Sequence, residues 1–107
     1  MFASNFVIDD THLKHVRGQG GLKSFGQART VASGNTMTNY WCDACGTLMY
    51  RVCSGLSGKI ILRIGPVDDL KLHDTLLKPT VEQWTKYRAS WLKPLEGVKQ
   101  TEGEGAV

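Results

Sequence analysis

Cys42 and Cys45 are separated by two residues and followed at once by Gly46, within Tyr40-Trp41-Cys42-Asp43-Ala44-Cys45-Gly46-Thr47. This spacing constrains the fold more than any other feature of the chain. Two intervening residues let a tight turn aim both sulfurs at one tetrahedral ion. A glycine just after them permits positive φ and lets backbone N–H groups approach the sulfurs. Three readings of the pair stand open: half of a structural zinc site, two buried or incidental thiols, or a redox dithiol. The redox motif belongs at a strand-to-helix junction. Here β-formers lie on both sides, which favours a zinc knuckle. A complete site needs about four ligands, and the pair supplies half of them.

The flanks carry the rest of the fold reading. Residues 36–42 are rich in β-formers and lead into the cysteine turn, and residues 48–53 form a second apolar run. The pattern predicts a hairpin with the knuckle at its tip. After a glycine-marked turn at 55–58, residues 59–64 are dense in β-branched side chains and read as the strongest strand. Earlier, residues 5–8 read as a short strand, and Asp9-Asp10-Thr11 as a turn or a single helical turn. Residues 22–25 and 28–32 read as strands paired around Gly26-Gln27. Later, Val67-Asp68-Asp69-Leu70 reads as a turn opening one helical turn, 82–87 as a final strand and 89–92 as a helical turn. The pattern contains no long amphipathic helix and no internal repeat. The expected fold is mostly β.

Length and composition set outer limits. The 107 residues fit one domain, and 41% hydrophobic with 21% charged residues is ordinary globular composition. Residues 98–107 lack apolar periodicity and are expected to be a disordered tail. A net charge of +3 is too small to argue for nucleic acid. The longest apolar stretch, around Ile60-Ile61-Leu62, is far too short to span a bilayer. The N-terminus has no basic region before its apolar residues, so no export signal is read. A reducing, cytoplasmic setting follows, in which three cysteines suggest metal binding rather than disulfides.

Other chemistry-bearing residues point less sharply. Cys53 lies inside a strand and reads as a small core residue. His12 and His15 would share a face only on a helix, and read as surface histidines. His73 reads as an exposed loop residue. Trp41, Trp84 and Trp91 read as packing anchors. Trp84 and Trp91, beside Lys86, Arg88 and Lys93, would also suit a groove for an anionic ligand. No Ser-His-Asp order, phosphate-binding glycine loop or paired-carboxylate motif occurs.

The stretch Tyr40-Trp41-Cys42-Asp43-Ala44-Cys45-Gly46-Thr47-Leu48-Met49-Tyr50 resembles the second half of the glutathione-dependent formaldehyde-activating (CENP-V/GFA) domain, in which an aromatic precedes C-x-x-C-G-[ST]. Gly65-Pro66-Val67-Asp68-Asp69 resembles that family's Asp-Asp turn. Lys78-Pro79 with Trp84-Thr85, Trp91-Leu92, and the opening Phe2-Ala3-Ser4-Asn5-Phe6-Val7-Ile8 match in order and spacing. Residues 1–97 would then be a partial domain of that zinc-binding β fold, incomplete at the N-terminus.

The resemblance implies two zinc sites, one structural and one catalytic. Cys42 and Cys45 match the later pair of the structural site. The implied partner is a small thiol adduct such as S-hydroxymethylglutathione, and the implied class is carbon–sulfur lyase. The family's early C-x-C and C-x-C-x-x-C motifs have no counterpart here, so no catalytic residue carries over and this fragment is expected to be inactive. With half the ligands, the chain is expected to stay partly unfolded and aggregate, or else to pair as a homodimer in which two copies give Cys42 and Cys45 to one shared four-cysteine zinc site. A non-catalytic zinc-ribbon-like binding or interaction module is the alternative function.

Overall fold

The computed structural model describes residues 2–104. Asn5–Pro66 make one compact unit; a second is drawn from Val67 onward together with the residues before Asn5. The main sheet ends just before this division, at Arg63.

The first unit is a five-stranded antiparallel sheet. Its strands are β1 (Asn5–Asp9), β2 (Leu22–Gln27), β3 (Met37–Cys42), β4 (Leu48–Cys53) and β5 (Lys59–Arg63), in the order β1-β5-β4-β3-β2. β3, β4 and β5 are the strands expected over 36–42, 48–53 and 59–64, and the fold is mostly β as the pattern predicts. β1 lies on β5 in the register Phe6↔Leu62, Val7↔Ile61 and Ile8↔Ile60. These are apolar cross-strand pairs, each worth roughly 0.2–1 kcal/mol. An ion pair between Asp9 and Lys59 closes one end of that ladder, and its Asp9 carboxyl is held below the usual range chiefly by the Lys59 hydrogen bond.

One strand pairing differs from expectation. β2 does not fold back at Gly26-Gln27; it runs through both residues and pairs with β3, Gly26 opposite Thr38. The turn comes later. The Gln27 side chain donates to Thr30 Oγ1 at 2.8 Å and accepts from the Thr30 N–H at 3.1 Å, and the Val31 N–H donates to the Ala28 carbonyl at 3.2 Å. Those bonds curl 28–32 away from any ladder.

Only Cys53 and Ile64 are fully buried apolar residues among the described ones, at 8% and 6% exposure. The rest of β3, β4 and most of β5 are half-buried. Cys53 is the small core residue its strand position suggested.

In the second unit, α1 (Leu70–Asp74) is capped by Asp69, whose carboxylate accepts the Lys71 N–H at 3.0 Å. β6 (Val81–Glu82) and β7 (Lys99–Gln100) pair in parallel. The final strand expected over 82–87 stops after two residues. Trp84 takes a left-handed backbone with φ of 59°, and Thr85–Tyr87 follow as a 3₁₀ turn. The segment after Val98 carries β7, and Thr101 follows it. The Thr101 N–H donates to the Glu82 carbonyl at 2.8 Å, and Arg88 hydrogen-bonds both Glu82 and Gln100. Residues 105–107 lie outside the described residues. Trp91 is 66% exposed, so it is not the packing anchor its size suggested. Among the described residues no helix is long and apolar enough to cross a membrane.

Candidate metal centre

The knuckle is built where β3 ends. The Cys42 N–H donates to the Thr47 carbonyl at 2.8 Å, which fixes the base of the turn, and the Gly46 N–H donates back to the Cys42 carbonyl at 2.7 Å. The chain reverses within these residues because Gly46 takes a φ of +76°. The Asp43 N–H donates to the Gly21 carbonyl at 2.8 Å and ties the turn to the segment entering β2. A C-x-x-C-G sequence folds this way because two residues fill the turn and glycine alone enters the left-handed region at little cost.

Both thiols end on the same turn. Cys42 is half-buried, Cys45 is exposed, and neither is in a disulfide. Cys45 Sγ lies 3.2 Å from Thr47 Oγ1. Its thiol is depressed below the ordinary cysteine value. The Thr47 hydroxyl contributes most, then the Thr47 backbone, then a hydrogen bond with the Cys42 side chain. Cys42 closes β3 and Cys45 lies in the turn that follows, so both cysteines belong to one short segment. An open hollow of about 350 Å³ lies beside Cys42, lined by Gly18, Gly21, Leu22, Cys42, Asp43 and Ala44.

Two sulfurs are half of a structural zinc set. Among the described residues, no group of three or more His, Cys, Asp or Glu side chains is placed to hold one ion. The knuckle suits two of the ligands, and these residues do not complete the set. Cys53 lies at the far end of β4, opposite Met37. His12 sits in a 3₁₀ turn after β1. His15 is not a free surface histidine: its Nε2 lies 3.0 Å from Tyr50 Oη, and its ring meets Tyr50 edge-on. His73 is not a loop residue either. It sits in α1, half-buried, with Nε2 2.9 Å from the Val67 carbonyl.

Sequence reasoning missed two clusters on the sheet. Tyr40 and Tyr50 stack at 4.9 Å, directly opposite each other on β3 and β4. Burial, then Tyr40, raises the Tyr50 hydroxyl above its ordinary value. On the other face, Arg51 and Arg63 lie on adjacent strands. The signal for both was strand parity, readable only once the register is known.

Replacing Gly46 with alanine is expected to cost about 1–2 kcal/mol, the penalty for a Cβ in the left-handed region. An added Cβ there meets nothing within 4 Å, so the cost is wholly in the backbone. Urea unfolding of Gly46→Ala checks it. A midpoint equal to that of the parent chain would mean that the turn does not hold this conformation in solution.

The model of a family described as glutathione-dependent formaldehyde-activating enzyme matches residues 1–87, about four-fifths of the chain. No curated protein and no solved structure matches.

Proposed function

Since the chain belongs to the glutathione-dependent formaldehyde-activating enzyme family, we propose that it is a zinc-dependent carbon–sulfur lyase-type protein of the kind that acts on the adduct of glutathione and formaldehyde, or a related thiol adduct, and that these 107 residues are inactive by themselves. The observation that carries this reading is the family match over residues 1–87, which includes the knuckle. In that chemistry the carbon–sulfur bond of S-hydroxymethylglutathione forms or breaks. Cleavage returns the thiol and formaldehyde, with the hydroxyl proton passing to the sulfur, and nothing is oxidised or reduced. Free thiols and the absence of a disulfide among the described residues suit a reducing compartment, which supports a cytoplasmic setting.

In this reading Cys42 and Cys45 are structural rather than catalytic. Bound zinc would cross-link the turn, and a second copy of the chain would bring the two further sulfurs that a closed site requires. The chain's own contribution is a turn, closed through Gly46 and Thr47, that carries both cysteines. Of the three cysteines, two are in the knuckle and the third is buried in the sheet. None is left for a second, open metal position, which needs three protein ligands and a free site.

These 107 residues alone are therefore expected to turn over no S-hydroxymethylglutathione above background. The check is a coupled assay on purified protein supplied with zinc, run beside Cys42→Ser. Turnover above background in the parent chain that disappears in Cys42→Ser would overturn this expectation.

A further inference from the structure

The register of the sheet brings two cations together without an acid. Arg51 of β4 lies opposite Ile61 of β5, and Arg63 is two residues further along β5 on the same face. This is the diagonal relation across adjacent strands, with Cα atoms roughly 7–8 Å apart and long side chains within reach of each other. Each guanidinium is steered by a neutral amide from the strand beyond it. Arg51 Nε donates to Asn39 Oδ1 at 2.9 Å, and Arg63 Nη1 donates to Asn5 Oδ1 at 3.0 Å. The four residues make a row across β1, β5, β4 and β3.

What the row lacks is a carboxylate. Among the described residues the ion pairs are Lys59 with Asp9 and Arg88 with Glu82, and neither arginine of the row takes part. Asp9 shares the face, four residues away along the ladder, and is held by Lys59. Residues 5–66 carry seven of the thirteen Lys and Arg but only three of the ten Asp and Glu. Both arginines are half-buried. Partial burial, then Arg51, weakens the hold of Arg63 on its proton. Arginine nevertheless stays charged at neutral pH. Two like charges side by side oppose folding unless something neutralises them.

The amides orient the guanidiniums without cancelling their charge. Both terminal nitrogens of Arg51, and Nε and Nη2 of Arg63, have no hydrogen-bond partner among the described residues. A carboxylate is the planar two-oxygen acceptor that such forks match.

We infer that Arg51 and Arg63, positioned by Asn39 and Asn5, form a carboxylate-binding site on this face of the sheet, and that its ligand is a carboxylate arm of the glutathione portion of the thiol adduct. The identity of the ligand rests on the function proposed above; the anion site rests on the sheet alone.

Calorimetric titration of the full chain with glutathione, with its diester and with succinate separates the two. Glutathione and succinate are expected to bind, and the diester to bind about tenfold more weakly or worse, since it loses charge-assisted hydrogen bonds. Arg51→Gln and Arg63→Gln are each expected to weaken glutathione by a similar factor, with Arg51→Lys intermediate. Far-UV circular dichroism confirms that each variant retains its sheet, and the diester comparison needs no variant. Succinate binding without glutathione binding would sustain the site and sink the proposed substrate. Equal binding of glutathione and its diester, with both glutamine variants unaffected, would overturn the anion site and leave the substrate class standing. No binding of any of the three at millimolar concentration would overturn the inference outright.

Discussion

Dialysed against excess zinc and then against zinc-free buffer, the chain is expected to retain no more than about one zinc for every two chains, in a species with the mass of a dimer. The reason is the ligand count. A closed structural site takes about four ligands. The knuckle offers Cys42 and Cys45, and among the described residues nothing stands beside them to make even a group of three. The effect on stability is large. Structural zinc contributes roughly 10–16 kcal/mol of apparent binding free energy in small domains, against a whole-domain margin of about 5–15 kcal/mol. Removing the metal with a chelator, or replacing both cysteines with serine, should return the dimer to monomer or to partly unfolded chain. Metal content by mass spectrometry together with mass in solution by light scattering decides the matter. A stable monomer with one tightly held zinc would overturn this expectation, and would mean that Cys53 or a histidine leaves its observed position to complete the site.

Ile64→Ala is expected to destabilise the chain by about 2–5 kcal/mol, the range for removing a buried aliphatic side chain and leaving a cavity. Ile64 is 6% exposed, the most buried of the described apolar residues, and only Cys53 is comparably covered. A thin core concentrates its stabilisation in few positions, so this single truncation removes a sizeable part of the margin. Ile64→Val, which keeps most of the volume, should cost only about 0.5–1.5 kcal/mol. Thermal unfolding of the pair checks both, with an expected fall of about 4–8 °C per kcal/mol for a domain of this size. An Ile64→Ala midpoint within a degree or two of the parent would show that this position is not part of the core.

Much of the sheet was legible because β-branched and aromatic residues are dense where the strands form and glycine turns separate them. The run from Lys59 to Arg63 needed no tertiary information. The knuckle was legible for a stronger reason: C-x-x-C-G restricts its own backbone through the turn it requires and the left-handed glycine that ends it. What stayed hidden depends on partners distant in sequence. Gly26 looked like a turn residue, but its pairing with Thr38 kept it in a strand. The final strand looked continuous through Trp84, whose left-handed backbone no propensity would assign to a tryptophan. The arginine row depends on which residues of β4 and β5 face each other, and shifting that register by one residue would place the two side chains on opposite faces.

The strand order also sets the sequence in which the sheet can assemble. β2, β3, β4 and β5 follow one another along the chain and sit side by side, so each can join its predecessor across a short loop. β1 comes first in the chain but lies beyond β5, and its Asn5 reaches Arg63 across a separation of 58 residues. Closing so long a loop costs more entropy than closing a hairpin, and that cost must be met before the contacts it permits can form. The four-stranded meander is therefore expected to form first and β1 to join it last. Until it arrives, the β5 edge is open to any extended segment, including the β1 of a neighbouring molecule still being made. A strand exchanged in this way would reproduce the Phe6, Val7 and Ile8 pairings without strain, because the register they recognise is the same in either chain.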